Sequence, residues 1–545
     1  MDRQSLLAFL LIGIIIVFYP WYMNLVAPID SDLSTEYTVE NKPLGNNAET
    51  PSTPKPQLSK AKTTTEAKIF NIKSDLYDLK ISNKNGGSVV SYSLYKFNNH
   101  EGELVNLVDD INSDNLLLGF ISIDGDKTLL NQNWSSPNSS SLLSVDRGQK
   151  SLTFTTDYQG QTLKKVFTFY PNTYNIDIDV IFDNPSKFIS RNQYSLSWSG
   201  GLPPTEKNIS NDFQFFEGFA SLGGEHMGTK PKKGKVSEDS QKGTTLWSAI
   251  KTKYFIAAII PDSPGIAARV KSELLDKRPV YETEITQNTT SSNNFTLYLG
   301  PLDYNNLKAF DVGLESNVDL GWALFRPIGQ LISWLLSKMY AIIPNYGLVV
   351  ILFAFLIKLL LNPLTVKTFE STRKMQALAP EINKIKEKYK NDPQKMSRAQ
   401  MELYKSSGAN PMGGCLPMLI QMPILVSVFS IFRSKIEFRG APFFGWINDL
   451  SVPDTLVELG GFPINILPVL MGSTMFIQQK MMAAPNADAN QKTMMYVMNA
   501  FFLFLFYSFP SGLNLYYFVF NLLSIIQQKY FIPNPAASPA VTLKK

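Results

Sequence analysis

The feature that most restricts the fold is the placement of the long apolar runs: one lies at the N-terminus and the rest lie after residue 320. Leu6 to Val17 is almost uninterrupted apolar sequence, followed by Phe18-Tyr19-Pro20-Trp21-Tyr22, an aromatic collar of the kind found at a membrane interface. No small-x-small cleavage site follows it, so it is expected to stay as a signal anchor over residues 1–27 rather than be removed as a signal peptide. The later runs are Tyr346 to Leu361, Leu416 to Phe432, Ile464 to Gln478, Met494 to Phe509 and Leu513 to Ile526. Each approaches the roughly 17 to 20 residues that a helix needs to cross a bilayer once its flanks are counted. Six transmembrane helices are expected, five of them forming a core bundle.

Charge divides the chain in the same way. Residues 28 to 320 carry 29 Lys and Arg against 35 Asp and Glu, a net of −6, and the remainder carries 22 against 11, a net of +11. A soluble acidic domain and a membrane domain with basic loops are therefore joined in one chain. Cys415 is the only cysteine, so no intrachain disulfide can form, and a domain of nearly 300 residues is large enough to be stable without one.

The segment Trp322 to Ile343 is long enough to span but carries Arg326, Gln330, Ser333, Ser337 and Lys338. Leu324, Ile328, Leu331, Leu335 and Met339 recur at helical spacing, the pattern of an amphipathic helix lying in the interface over 320–343. Counting it as a span would put the loop 365–410, with ten basic residues, on the outer side, against the positive-inside bias. The expected order is a cytoplasmic N-terminus, an outer domain over 68–315, a second span over 346–364, spans three to six within 416–530, and a cytoplasmic tail over 531–545.

Residues 28–67 hold few large apolar side chains and are rich in Pro, Thr, Lys and Asn toward their C-terminal part, the composition of a flexible linker. Beyond them, alternating segments such as Ser151 to Thr156 and Tyr174 to Phe182 are punctuated by Asn85-Gly86-Gly87, Asp124-Gly125-Asp126 and Asp183-Asn184-Pro185. That spacing predicts an extracytoplasmic all-β antiparallel sandwich. His100 and His226 are expected at its surface, and no nucleophile–base pair or metal cluster stands out.

In the basic loop 365–410, Met375, Leu378, Ile382, Ile385 and Tyr389 follow the spacing of a coiled-coil seam. Asn391-Asp392-Pro393 then breaks the chain, and Met396, Ala399 and Leu403 continue on a second helix. A helical hairpin is expected. Its basic face is either simply solvated or a contact surface for ribosomes and apolar nascent segments, for which Met375, Met396 and Met401 are suited by their adaptable side chains.

Lys358 is the most informative single residue, because Leu356-Ile357 precedes it and Leu359-Leu360-Leu361 follows it inside a span. A lysine near a helix centre costs on the order of 3 kcal/mol. Two roles stay open: the side chain can snorkel toward the basic loop, roughly 13 Å away at Lys367 by the helical rise, or it is held in a polar groove. Gln421, Ser473, Thr474 and Asn499 add polar groups to other spans, and Asn514, Tyr517, Asn521 and Ser524 form one stripe on the last helix. Such groups avoid lipid and face one another or a wet cavity.

The motifs Asn362-Pro-Leu-Thr, Asn410-Pro-Met-Gly-Gly-Cys, Leu416-Pro-Met-Leu-Ile-Gln-Met-Pro-Ile, Leu467-Pro-Val-Leu-Met-Gly-Ser-Thr-Met-Phe and Phe509-Pro-Ser-Gly-Leu-Asn-Leu-Tyr-Tyr resemble those of the YidC family of membrane protein insertases. The outer domain is similar in size, position and strand character to the periplasmic β-supersandwich of Gram-negative members. The resemblance implies insertion of nascent inner-membrane proteins, alone or with the Sec translocon, with no cofactor, no metal, no catalytic residue and no specific nucleic acid. It places Lys358 in the position of the family's groove cation, with Gln421 and Tyr517 where groove-lining residues fall and Asn514 and Asn521 on the same stripe. Many bacterial members carry arginine at the cation position, so here the charge is kept and the planar fork is lost. The short Pro/Ala segment before Lys544-Lys545 implies only weak contact of the tail with ribosome–nascent chain complexes. Two other classes compete: an ion or solute transporter using Lys358, against which stands the lack of an internal repeat or a paired intramembrane acid, and a membrane-anchored receptor using the outer sandwich.

Overall fold

The computed structural model describes residues 66–108, 114–207, 209–232, 234–275, 278–289, 293–321, 323–407, 416–482 and 489–531. The expected signal anchor, nearly all of the linker and the tail beyond residue 531 lie outside the described residues. The chain divides into two compact units, at residues 315 and 316.

The first unit is β-rich. One sheet runs in the order Leu104–Asn106, Ser88–Asn98, Tyr77–Ser82, Ile69–Lys73, Leu142–Ser144, its last pairing parallel. A second sheet holds thirteen strands, with its hydrogen-bonded path ending at Lys127–Leu129 and Lys150–Tyr158. The alternation in the sequence becomes alternation in burial. Asn175–Phe182 buries Ile176, Ile178 and Val180 and turns the residues between them outward. The sequence segments at 151–156 and 174–182 correspond to the strands Lys150–Tyr158 and Asn175–Phe182.

The core between the strands is aromatic. Tyr77 and Tyr92 stack at 4.8 Å, and Phe154 meets Phe70 and Phe167 edge-on at 5.5 and 5.8 Å. Each such fully buried side chain contributes about 1.5 to 3 kcal/mol by burial. The turn Asn85-Gly86-Gly87 lies against this core with all three residues in the left-handed region. A Cβ on Gly86 would stand 2.5 Å from the Trp134 ring, and one on Gly87 2.3 Å from Phe167, so only glycine fits there.

The second unit is helical. Its helices are α1 (Arg326–Ile342), α2 (Tyr346–Ala377), α3 (Ala379–Lys388), α4 (Pro393–Ser406), α5 (Leu416–Ser434), α6 (Ile466–Met482), α7 (Ala489–Phe506) and α8 (Ser511–Ile526). Tyr346–Val366 within α2 is long and apolar enough to cross a membrane, and the apolar stretches Met422–Ser434 and Met495–Phe506 are shorter.

The structure revises one local expectation and adds detail to two other segments. The helix α1, with the turn before it, leaves unburied the stripe Leu324, Ile328, Leu331, Leu335, Met339 expected to face the interface. It buries Gly329, Ile332 and Leu336, while Leu324 and Leu331 are exposed. Close packing explains the choice: a Cβ on Gly329 would come 2.1 Å from Leu320 O, so the helix approaches through its glycine. The expected seam from Met375 to Tyr389 is not one helix. The helix α2 runs on through Pro363 to Ala377, and α3 starts after Leu378, because Pro380 has no N–H to continue the ladder. The hairpin proper is α3 and α4, turning at Asp392, whose carboxylate accepts from Lys395 N at 3.0 Å as the cap of α4. The connection between α5 and α6 also holds a short hairpin, Thr455–Leu459 with Phe462–Asn465, around Gly460-Gly461. Its Gly-Gly turn between apolar-bearing runs was a legible hairpin signal.

That connection is tied to one end of the bundle by side-chain hydrogen bonds. Asp454 caps α6, accepting from Ile466 N at 3.0 Å, Leu467 N at 2.7 Å and the Trp446 indole at 3.1 Å. Ser511 Oγ donates to Asp449 O at 2.8 Å, and Asn465 Nδ2 donates to Tyr507 O at 2.7 Å.

Candidate functional site

Packing of α8 against α2 and α6 decides which polar groups meet. Lys358 is 8% exposed, and its Nζ donates to Ser524 Oγ at 2.7 Å and lies 5.0 Å from the Phe520 ring centroid. The side chain therefore turns across to α8 instead of running along α2 toward the hairpin. Ser524 Oγ in turn donates to Phe520 O at 2.8 Å. An ammonium has three donors; none of the described ion pairs includes Lys358, and its other attraction is the ring, worth about 0.5 to 2 kcal/mol by its degree of desolvation.

The rest of the stripe has unequal fates. Asn514 is fully buried, and its Nδ2 donates to Phe506 O at 3.1 Å, Phe509 O at 3.2 Å and Pro510 O at 3.4 Å. It thus holds the turn between α7 and α8. Tyr517 packs edge-on against Phe506 at 5.3 Å and Tyr516 at 5.1 Å, and its buried hydroxyl has no partner among the described residues. Asn521 is half-buried on the same helix. Gln421 lies on α5, and its side chain is outside the described residues. Lys358 thus meets α8 at Ser524 and Phe520, Tyr517 faces Phe506 of α7, and Asn514 belongs to the turn at the opposite end of α8 from Ser524.

On the hairpin side, Met375 is half-buried at the end of α2, Met396 is half-buried at the start of α4, and Met401 is 49% exposed. The three do not lie on one helix. His100 and His226 are exposed as expected, but His226 stacks on Phe219 at 5.0 Å and shares a 3.1 Å hydrogen bond with Glu217.

Two buried cations escaped the sequence. Lys165 is fully buried in the β-rich unit; its Nζ donates to Asn85 O at 2.8 Å and to Leu116 O. Period two offered a signal, since Lys165 stands between the inward Leu163 and Phe167 on Gln161–Phe169. Lys435, 8% exposed, pairs with Glu437 and reaches Ser337 Oγ at 3.4 Å, tying α1 to the end of α5. Asn362 was visible in its motif, yet its bond with Gln527 depends on helix packing and left no mark in the sequence. Among the described residues no cluster of three metal-ligating side chains occurs.

Residues 338–536 match the model of the 60Kd inner membrane protein family, and residues 70–335 match that of the YidC periplasmic domain. The membrane protein insertase YidC of Chlorobaculum parvum is 33% identical over 557 residues, covering 97% of this chain and 94% of the relative. That of Pelodictyon phaeoclathratiforme is 33% identical over 572 residues, covering 100% and 97%. A solved structure, an active YidC insertase with its first transmembrane domain resolved, is similar over 84% of this chain and 91% of that one, at 18% identity and a TM-score of 0.37. The chain belongs to the YidC family of membrane protein insertases, with a β-rich periplasmic-domain region followed by a helical region.

Proposed function

We propose that this chain inserts and helps fold nascent membrane proteins in the inner membrane, through a polar groove between α2 and α8 whose working charge is Lys358. The observation that carries the groove is the bonding of that ammonium: one serine hydroxyl and one ring face, with no carboxylate among its described ion pairs. A cation left with spare donors in a low-dielectric site attracts the acidic and polar parts of a translocating chain. At 4 Å and an effective dielectric of 20, a carboxylate gains about 4 kcal/mol from it, enough to offset much of its desolvation. Gln421, Tyr517 and Asn521 line the same groove, and Asn514 fixes the turn that closes its far end.

In this proposal six helices span the membrane, both termini and the hairpin over 365–410 are cytoplasmic, and the β-rich domain is periplasmic. Nascent chains arrive from ribosomes, with weak tail contact, or beside the Sec translocon, and leave into lipid. The hairpin methionines Met375, Met396 and Met401 meet apolar nascent segments on the way. Nothing covalent happens, so no cofactor is needed.

The test is site-specific photo-crosslinking from positions 358, 421 and 517 to ribosome-bound nascent chains, together with insertion assays. Crosslinks at these positions, insertion by Lys358→Arg and impaired insertion by Lys358→Ala and Lys358→Glu are expected. Normal insertion by the Ala and Glu variants would remove Lys358 from the mechanism. Loss of insertion on deleting most of residues 70 to 300 would move the function to the β-rich domain.

A further inference from the structure

We propose that a band of amide side chains at the hairpin end of the bundle receives the backbone N–H groups of an extended polypeptide entering the groove. It rests on the insertase function proposed above.

The band starts one turn beyond Lys358. Asn362 on α2 accepts from Gln527 Nε2, just past the end of α8. The next residue, Gln528, donates its Nε2 to Met481 O on α6 at 3.1 Å. Two residues back on α6, Gln479 Oε1 accepts from Asn499 Nδ2 on α7 at 2.5 Å, and the same nitrogen donates to Met495 O at 2.8 Å. Side-chain amides therefore link α2, α8, α6 and α7 in sequence around one end of the bundle.

In this band Gln527, Gln528 and Asn499 each donate through the amide nitrogen and leave the amide oxygen unused. Gln527 Oε1, Gln528 Oε1 and Asn499 Oδ1 are all buried and have no donor among the described residues. An orphaned buried acceptor is destabilising, and three of one sign in one band form a pattern that a ligand rich in donors would relieve. An extended peptide edge presents N–H groups in a row, whereas in a helix those groups are already bonded to its own carbonyls. One turn deeper on α2 the Lys358 ammonium is instead a donor group suited to carbonyls and carboxylates, and the unpartnered Tyr517 hydroxyl on α8 can donate to the same groups. The mouth thus favours a segment that has not yet become helical, and the interior releases it as its own backbone bonds form.

The test uses the full chain in vesicles of phosphatidylethanolamine and phosphatidylglycerol, with a synthetic single-span peptide in two versions. One version has normal amides; in the other, two backbone amides near the leading end are esters, which removes the N–H and keeps the side chains. Protease-protected insertion above that of empty vesicles is read for both. The amide version is expected to insert roughly threefold to tenfold faster than the ester, the rate equivalent of one or two lost hydrogen bonds. That ratio is expected to fall toward one in Gln528→Met and in Asn499→Leu, and to persist in Val469→Ala, which alters an exposed position on α6. The ratio is taken within each variant, so a partly misfolded protein lowers both rates and still gives an answer. Equal insertion of the two peptides by the unaltered chain, or an unchanged ratio in both variants, would overturn the proposal. Insertion rates that follow phosphatidylethanolamine content and are the same for both peptides would assign the band to a lipid ammonium and overturn it too. Failure to insert even the amide peptide would instead strike the insertase function itself.

Discussion

Lys165 and Lys358 are both buried lysines, and they differ in how much of their hydrogen-bonding capacity the fold uses. Lys165 is fully enclosed by the β-rich unit, with two backbone carbonyls bonded to its ammonium and the Trp134 ring 5.6 Å away. The two carbonyls belong to Asn85 and Leu116, both of which sit at positive φ. Lys165 therefore fastens two unfavourable backbone turns to one strand, and its hydrogen-bonding capacity is largely used by the fold. Lys358 has one hydroxyl, on a residue 166 positions away, and much of its capacity remains.

The sharpest challenge to this contrast is to remove each side chain in turn. Lys165→Ala leaves two buried carbonyls without a donor and a cavity beside Trp134, and should destabilise the β-rich unit by about 4 kcal/mol, read by urea unfolding. Lys358→Ala should change stability by only about 1 kcal/mol while slowing insertion by about tenfold or more. The opposite pattern would erase the distinction. Ser524→Ala sharpens it further: if Ser524 only positions the ammonium, insertion should fall by about twofold to threefold and Lys358→Arg should not be affected further in the double variant.

Acid and base titrations separate the domain's own charges from the groove. Burial pulls the Lys165 pKa down to about 7 from its ordinary 10.5. Between those values the unfolded chain holds a proton that the folded chain has released, so folding stability should rise with pH from about 7 to 9. Lys165→Met should flatten that slope in chemical denaturation. A smaller effect is expected at Glu217. Burial works to raise its carboxyl pKa, but the hydrogen bond with His226 and the charge of Lys251, 3.3 Å away, bring it down to about 2. Its folded pKa is depressed, so its contribution is present above about 4.5 and lost as pH falls toward 2. His226→Ala should shift that acid limb to higher pH, measured by the unfolding midpoint between pH 2 and 5.

Much of the architecture was legible because it follows from local periodicity. The strands Lys150–Tyr158 and Asn175–Phe182 appear where the alternation lies, and the turn at Asn85-Gly86-Gly87 carries the positive φ values that its residue types permit. The helix α1 was also legible as a helix, but its buried face was not, since the choice between Leu331 and Ile332 was made by the contact of Gly329 with Leu320. The hairpin was read one helix turn too early, because apolar spacing continued smoothly across the break that Pro380 imposes.

The candidate site shows the same boundary. Lys358 and the stripe on α8 were visible in the chain itself, since a charge within an apolar run and polar residues three or four apart need no partner to be noticed. Which of those groups are already bonded was not visible. Among the described residues, the Asn514 amide nitrogen is committed to the carbonyls of a turn, Lys358 keeps spare donors, and Gln527, Gln528 and Asn499 keep spare acceptors. The sequence by itself determined where apolar runs, charges and strands must lie, because those depend on neighbours within a few residues. Only the tertiary structure decided which polar groups remain unsatisfied, because a hydrogen bond between α2 and α8 joins residues more than 160 positions apart and exists only once the helices have packed.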